Sequence, residues 1–252
     1  MSLPSNKSRR ALTPLASSGN LRGLFVTATD TGVGKTIVAS AIAATLAARR
    51  RRVAVFKPAV TGLAEIDAPL PDHELLLASA RSTQSPYDVA PYQFDPPVSP
   101  HLAAELADVT VRPERILAAA SRAAAHSDAL IVEGVGGLMV PLSPSYLVRD
   151  LAVDLGLPLV IVARPGLGTI NHTLLSLEAA RAAGLEIAAV VLTPWPEEPD
   201  EIERSNLETI ASLGRTPVHT LGELYTGPPI SSVGDLPLED WLGQRPAYSP
   251  AA

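Results

Sequence analysis

Apolar runs of strand length alternate along the chain with longer Ala/Leu-rich stretches that carry polar residues at helical spacing. The runs are GLFVT at 23–27, VAVFK at 53–57, ALIVE at 129–133, LPLVIVA at 157–163, IAAVVLT at 187–193 and TPVHT at 216–220. Each is close to continuously apolar, the pattern of strands buried on both faces. Between them the spacing predicts helices at 35–48, 72–81, 113–126, 146–155, 171–183 and 200–213. Gly184 and Gly214 read as glycines that stop helices, and Pro113 suits a first helical turn. Such alternation predicts an α/β fold, a mainly parallel sheet with helices on both faces. Residues 91–105 are too Pro-rich for a strand and read as an ordered loop leading into a helix. Trp241 and Leu242 are positioned to dock a short C-terminal helix.

With 252 residues the chain can bury a substantial core, and a single domain over 22–245 is expected. Apolar residues make up 46% and aromatics 4%, so that core is aliphatic. The 20 residues before position 21 lack a continuous apolar stretch and read as a disordered tail (1–21) rather than a signal peptide; the last residues, 246–252, are expected to fray. A net charge of −6 argues against general nucleic-acid binding. No apolar run approaches the roughly 20 residues of a membrane helix. The chain has no cysteine, which excludes disulfides, thiolate metal sites and a cysteine nucleophile, and fits a reducing, cytoplasmic setting.

Three stretches carry candidate chemistry. TATDTGVGKT at 27–36 follows the first strand and opens the first helix, the setting of a phosphate-binding loop. Backbone N–H groups from Gly32 to Thr36 can point at a phosphate, aided by the helix N-terminus. Lys35 would reach terminal phosphates and the Thr36 hydroxyl a Mg²⁺ ion. The strict pattern asks for glycine where this chain has Thr29. In IVEGVGG at 131–137 a buried strand ends on Glu133, where open α/β sheets bind ligands, and a glycine loop follows. Mg²⁺ takes one or two carboxylates alongside phosphate oxygens; a surface acid capping a turn is the plainer reading. Third, VAVFKPAVTG ends a strand on Lys57. Of the 20 basic residues 17 are Arg and only Lys7, Lys35 and Lys57 are Lys. A snorkelling lysine would be ordinary, but a chain that otherwise chooses Arg has kept two compact point charges at one sheet edge. That points to a pocket for several oxyanions. Asp72 opens a helix and reads as an N-cap, with Asp67 and Glu74 as neighbouring acids. The five histidines show no ligand spacing, and Ser143 and Ser145 lie in no nucleophile elbow.

Together TDTGVGKT, FKPAVTG, the Asp before a Leu-rich helix, PVSPHLAAE, VEGVGGLMVPL, RDLAVDLGLPLVIVA and GLGTINHTLLSLEAARAAGL closely resemble, in order, the dethiobiotin synthetase family. The resemblance implies a P-loop NTPase-like fold and a homodimer. It implies ATP- and Mg²⁺-dependent carboxylation of 7,8-diaminononanoate with CO₂ or bicarbonate, followed by ring closure. Lys57 would hold the carbamate and Lys35 bridge it to the γ-phosphate. Gly32, Val33, Gly34, Ile37, Gly134, Val135 and Gly136 would contact nucleotide, with Gly136 also near substrate. Thr31 and Thr61 would bond the carbamate or diamine, and Thr36, Asp72 and Glu133 would hold Mg²⁺. The substrate carboxylate would sit on a partner subunit's Gly168, Thr169, Ile170 and Asn171. One departure is Thr193, which stands where the family usually has an adenine-reading Asn; a hydroxyl lacks the paired donor and acceptor of an amide, so weaker base selectivity is expected. A cobyrinate-type amide synthetase domain and a partitioning ATPase switch share the phosphate loop. The first needs a glutaminase cysteine, and the second typically a further loop lysine and a basic or amphipathic surface.

Overall fold

The computed structural model describes residues 22–65, 70–224, 230 and 236–243. The tails predicted at 1–21 and 246–252, and Asp67, lie outside them. In chain order the strands are β1 (Gly23–Ala28), β2 (Val53–Phe56), β3 (Ala129–Gly137), β4 (Pro141–Ser143), β5 (Tyr146–Leu147), β6 (Leu159–Ala163), β7 (Ile187–Trp195) and β8 (Val218–Gly222). The helices are α1 (Lys35–Ala48), α2 (Asp72–Ala80), α3 (Pro86–Val89), α4 (Pro100–Leu106), α5 (Pro113–Ala124), α6 (Val148–Leu155), α7 (Thr169–Ala182), α8 (Glu201–Gly214) and α9 (Leu238–Gly243).

Six strands form one parallel sheet in the order β2-β3-β1-β6-β7-β8. The continuous apolar runs have a simple cause. Leu24, Val26 and Ala28 of β1 join one core with α1, α2 and α9, whereas Phe25 joins the other with α5, α6 and α7. Successive side chains therefore enter opposite cores, and both faces of the strand are apolar except at the buried Thr27. β1 lies between β3 and β6, so the chain runs to one side of it and later to the other. That reversal opens a crevice at the carboxyl ends of the strands.

Several boundaries differ from expectation. Instead of ending at Glu133, β3 continues through the glycines to Gly137. Opposite β1 it advances from Glu133 to Gly137 while β1 advances only from Val26 to Ala28. The extra residues bulge, and Gly136 takes φ +58 where a Cβ would meet Val140 at 2.8 Å; only glycine permits both. Tyr146 and Leu147 pair with Pro141 and Ser143 as a small antiparallel ribbon, so α6 begins at Val148. α7 starts at Thr169, two residues earlier than predicted. Gly214 is helical, and Arg215 takes the left-handed cap at φ 47. Gly184, at φ 71, does stop α7 as predicted.

At the opposite edge of the sheet the arginines after α1 tie elements together. Arg49 and Arg51 pair with Glu239 of α9 at 3.5 and 2.6 Å, and Arg52 pairs with Asp128 at 2.7 Å. Trp241 of α9 is buried, with its ring edge-on to His219 at 5.3 Å. No helix among the described residues is long and apolar enough to cross a membrane.

Candidate functional site

The crevice at the carboxyl ends of β1, β2 and β3 is a cavity of about 680 Å³, within the range of small-molecule sites. The phosphate loop forms one wall. Its start is tethered to β6 by the Thr29 N–H donating to the Val162 carbonyl at 2.9 Å. Thr29 is absent from the residues with positive φ, so its backbone does not call for the glycine of the strict pattern. Gly32 and Gly34 do have positive φ, +73 and +93. Gly34 is the N-cap of α1 without a side-chain cap bond, which leaves the helix's first N–H groups available to an anion.

Thr31, Gly32, Gly34, Lys35, Thr36, Ile37, Lys57, Thr61, Asp72, Val135 and Gly136 all line this cavity. Chain segments far apart in sequence thus converge as expected. Glu133 is completely buried beside them. Its Oε1 accepts hydrogen bonds from Thr36 Oγ1 at 2.8 Å and from Lys57 Nζ at 2.7 Å. Lys57 Nζ also donates to Asp72 Oδ2 at 2.5 Å. Lys57 therefore does not snorkel: its side chain is 5% exposed and held between two carboxylates. Pro71 is the N-cap of α2, so Asp72 is its first helical residue rather than its cap, and the Asp72 carboxylate meets Lys57 across the site.

Burial lowers the Lys35 pKa below the ordinary lysine value, opposed by Glu133 and reinforced by Lys57. Burial acts the same way on Lys57, but Glu133 and Asp72, through charge and hydrogen bonds, hold its pKa above the ordinary value. Burial would raise Asp72; Lys57 overrides this and leaves it below the ordinary carboxylate value. Lys57 is thus firmly protonated and Asp72 firmly ionised at neutral pH.

The remaining predicted residues lie elsewhere. Val33 and Gly134 are buried behind the lining. Thr193 is 3% exposed, and its methyl would sit 2.9 Å from a Cβ on Gly34, so it underpins the phosphate loop from behind and does not line the cavity. Gly168, Thr169, Ile170 and Asn171 form the start of α7, with Gly168 at φ +91 as its N-cap, and they do not line the same chain's cavity. Asn171 is exposed, as is the preceding Leu167 at 90%.

Sequence reasoning missed two features. Pro97, Val98, Ser99 and Pro100 form a cavity wall together with Leu70, Leu75, Ala59 and Val140; the stretch PVSPHLAAE carried part of the family likeness, but no site role was assigned to it. Asp30, inside the phosphate loop, accepts from the Thr31 N–H at 2.7 Å and pairs with Arg164 at 2.8 Å. That pair links the loop to the segment entering α7.

The donors around Lys57 are oxygens: two carboxylates and a hydroxyl. Glu133 Oε2 is buried with no hydrogen-bond partner, an unmet acceptor at the centre of the site. A hard cation that keeps most of its ligands as phosphate oxygens and water fits this set. Among the described residues no three His, Cys, Asp or Glu side chains form an all-protein metal cage.

A family model described as an AAA domain matches residues 22–235. The chain is 41% identical over 198 residues to the ATP-dependent dethiobiotin synthetase BioD of Bacillus subtilis (strain 168), covering 79% of this chain and 85% of that protein. It is 42% identical over 193 residues to the protein of the same name from Anaeromyxobacter dehalogenans (strain 2CP-1), covering 77% and 86%. To that of Anoxybacillus flavithermus it is 38% identical over 207 residues, covering 81% and 91%. Among solved structures it resembles the MinC:MinD cell division protein complex of Aquifex aeolicus, with a TM-score of 0.50 and 14% identity over 80% of this chain and 82% of that one. At that identity the likeness is one of fold, a P-loop NTPase-like sheet.

Proposed function

Since the chain belongs to the ATP-dependent dethiobiotin synthetase family, we propose that it converts 7,8-diaminononanoate, CO₂ and ATP to dethiobiotin, ADP and phosphate. It is thus a cyclo-ligase of biotin biosynthesis. The observation that carries the residue-level reading is the convergence of Lys35, Lys57, Thr36, Asp72 and Glu133 on one cavity.

The chemistry follows from charge. One amine of the substrate adds to CO₂ and loses a proton, giving a carbamate. A carbamate oxygen attacks the γ-phosphorus and ADP leaves, giving a carbamic-phosphoric anhydride. The second amine attacks the carbonyl carbon, phosphate leaves, and the ureido ring closes. Anionic oxygens persist throughout, so catalysis rests on cations and donors fixed in advance. Lys35, at the mouth of the phosphate loop, binds the γ-phosphate and the attacking carbamate oxygen. Lys57 holds the carbamate in line with it. Thr31 and Thr61 offer hydroxyls to the carbamate or diamine. The start of α1 cradles the phosphates through Gly32, Val33, Gly34 and Ile37, and the β3 bulge at Gly134, Val135 and Gly136 lets backbone approach them. Thr36, Asp72 and Glu133 would hold Mg²⁺, which when bound neutralises phosphate charge.

The apolar wall from Ala59, Leu75, Val98 and Val140 suits an alkyl chain. The carboxylate at its far end suits a helix N-terminus. Gly168, Thr169, Ile170 and Asn171 do not line their own chain's cavity; in the proposed reading that helix start comes from the second subunit of a homodimer. The test is incubation with diaminononanoate, Mg·ATP and [¹³C]bicarbonate. Label in the ureido carbon of dethiobiotin is expected, and a product carrying no label would refute the proposal.

A further inference from the structure

Asn206 is buried within α8, 6% exposed. Asparagine is a poor helix former, and its amide is costly to bury unless it is bonded. Its Nδ2 donates to the Pro165 carbonyl at 2.8 Å and to the Gly166 carbonyl at 3.2 Å. Carbonyls only accept, so the amide nitrogen must face them, and both of its N–H groups are used. The two carbonyls belong to the segment that leads from β6 into α7. Beyond the buried Pro165, that segment has little side chain to fix it. It contains Gly166 and Gly168, and Leu167 between them is 90% exposed. Gly168, at φ +91, caps α7 with no side-chain cap bond. The Gly166 carbonyl also accepts from the Thr169 N–H at 3.3 Å, so Asn206 bonds the turn that begins the helix. Arg164 holds the segment's other end on Asp30, but both partners are half exposed, and such a pair contributes little. Asn206 itself reaches out from a fixed support. A Cβ on Gly214 of α8 would stand 2.8 Å from Leu177 of α7, and Arg181 of α7 donates to the Gly214 carbonyl.

We propose that Asn206 is a positioning residue for the substrate's carboxylate: it fixes the turn at 165–168, so that the first N–H groups of α7 face a carboxylate bound across the dimer. This rests on the proposed role of Gly168, Thr169, Ile170 and Asn171 as the carboxylate anchor. A helix start recognises a carboxylate through N–H groups whose directions are set by the turn before them. Glycine leaves that turn the widest choice of backbone conformations, and two bonds from a rigid neighbouring helix remove the choice. The amines and alkyl chain of the substrate lie in the other subunit's cavity, which none of residues 165–168 lines in its own chain. Asn206 therefore acts on one end of the substrate only. Without it the anchor loosens, and what is lost is the preference for a diamine that carries a carboxylate.

The test is calorimetric binding of two diamines to wild type and to Asn206→Leu, which keeps the side chain's size and removes both donors. One is 7,8-diaminononanoate; the other is 2,3-diaminononane, which has a methyl group where the first has its carboxylate. Asn206→Leu is expected to bind the acid about tenfold or more weakly than wild type does. It is expected to bind the neutral diamine within about twofold of wild type. A residue needed only for folding would weaken both diamines alike, so equal losses overturn the proposal, as does an unchanged affinity for the acid. Should Asn206→Leu fail to fold, Asn206→Gln is read by the same outcomes, since it keeps the amide but carries it one methylene further out. A wild type that binds the two diamines equally, or binds neither, has no carboxylate anchor and also overturns the proposal. The readout needs no turnover. A wild type that prefers the acid and loses that preference in Asn206→Leu, yet closes no ring, would retire the proposed function and leave the role of Asn206 standing.

Discussion

Replacing Lys57 by arginine keeps the charge and changes its shape. The ammonium is wedged at 2.5 and 2.7 Å between Asp72 and Glu133 with its side chain 5% exposed. A planar guanidinium is larger and longer, so it must shift either its own position or theirs. The stability cost is that of overpacking, about 1–3 kcal/mol. It stays below the roughly 3–5 kcal/mol of leaving the buried Glu133 without its partner, as Lys57→Met would. Catalysis suffers more. Displacing a positioning charge by about 1 Å costs on the order of 10² in rate, about 2.7 kcal/mol of barrier. Lys57→Arg is therefore expected to lose at least about a hundredfold in kcat while still binding ADP. Single-turnover ring closure with [¹³C]bicarbonate measures the first, calorimetry the second and thermal melting the stability. Ring closure within about threefold of wild type, well short of that loss, would refute the reasoning, because a carbamate indifferent to the shape of its cation is not being positioned by it.

Gly34→Ala places a methyl 2.9 Å from the Thr193 methyl at φ +93, and should cost about 1–3 kcal/mol in urea unfolding and weaken nucleotide binding; Gly32→Ala, strained at φ +73 but with no atom within 4 Å, should cost less, and equal losses would contradict the packing part of the argument. With Thr193 buried against Gly34 and lacking an amide, turnover with ATP, GTP and CTP should agree within about tenfold; a strong preference for ATP would sink this. Burial holds the Lys35 pKa below the ordinary lysine value in the free protein, so Lys35 loses its proton at a lower pH than an exposed lysine, and polyphosphate favours the charged form. Nucleotide binding in alkaline solution should therefore take up a fraction of a proton, visible as calorimetric heats that depend on the buffer's ionisation enthalpy. Proton release, or no buffer dependence, would count against it.

Much of this molecule was legible because its strongest signals are local. A strand buried on both faces is apolar at nearly every position, so β1, β2, β6 and β7 stand out as runs. The phosphate loop announces itself by G-K-T between a strand and a helix. Lys57 was legible through composition, since a chain rich in arginine kept lysine there. Other features depend on contacts that sequence spacing cannot encode. The β3 bulge crosses three glycines, which carry no periodicity to mark a strand. The β4–β5 ribbon is too short for one. Asp30 and Arg164 meet across 134 positions, and the wall at 97–100 is part of the site only because α4 packs beside β4. The first-position glycine of the phosphate-loop pattern was a poor guide for a physical reason: Thr29 has no positive φ to accommodate. Thr193 shows the converse, a strand-end position whose side chain supports the loop from behind.

The most direct test of the whole account is phosphate release from Mg·ATP with bicarbonate, measured with and without 7,8-diaminononanoate. The account predicts that release is slow without the diamine, rises steeply with it, and yields one ureido ring per ADP. Release that ignores the diamine would contradict it and point instead to a nucleotide switch built on the same fold.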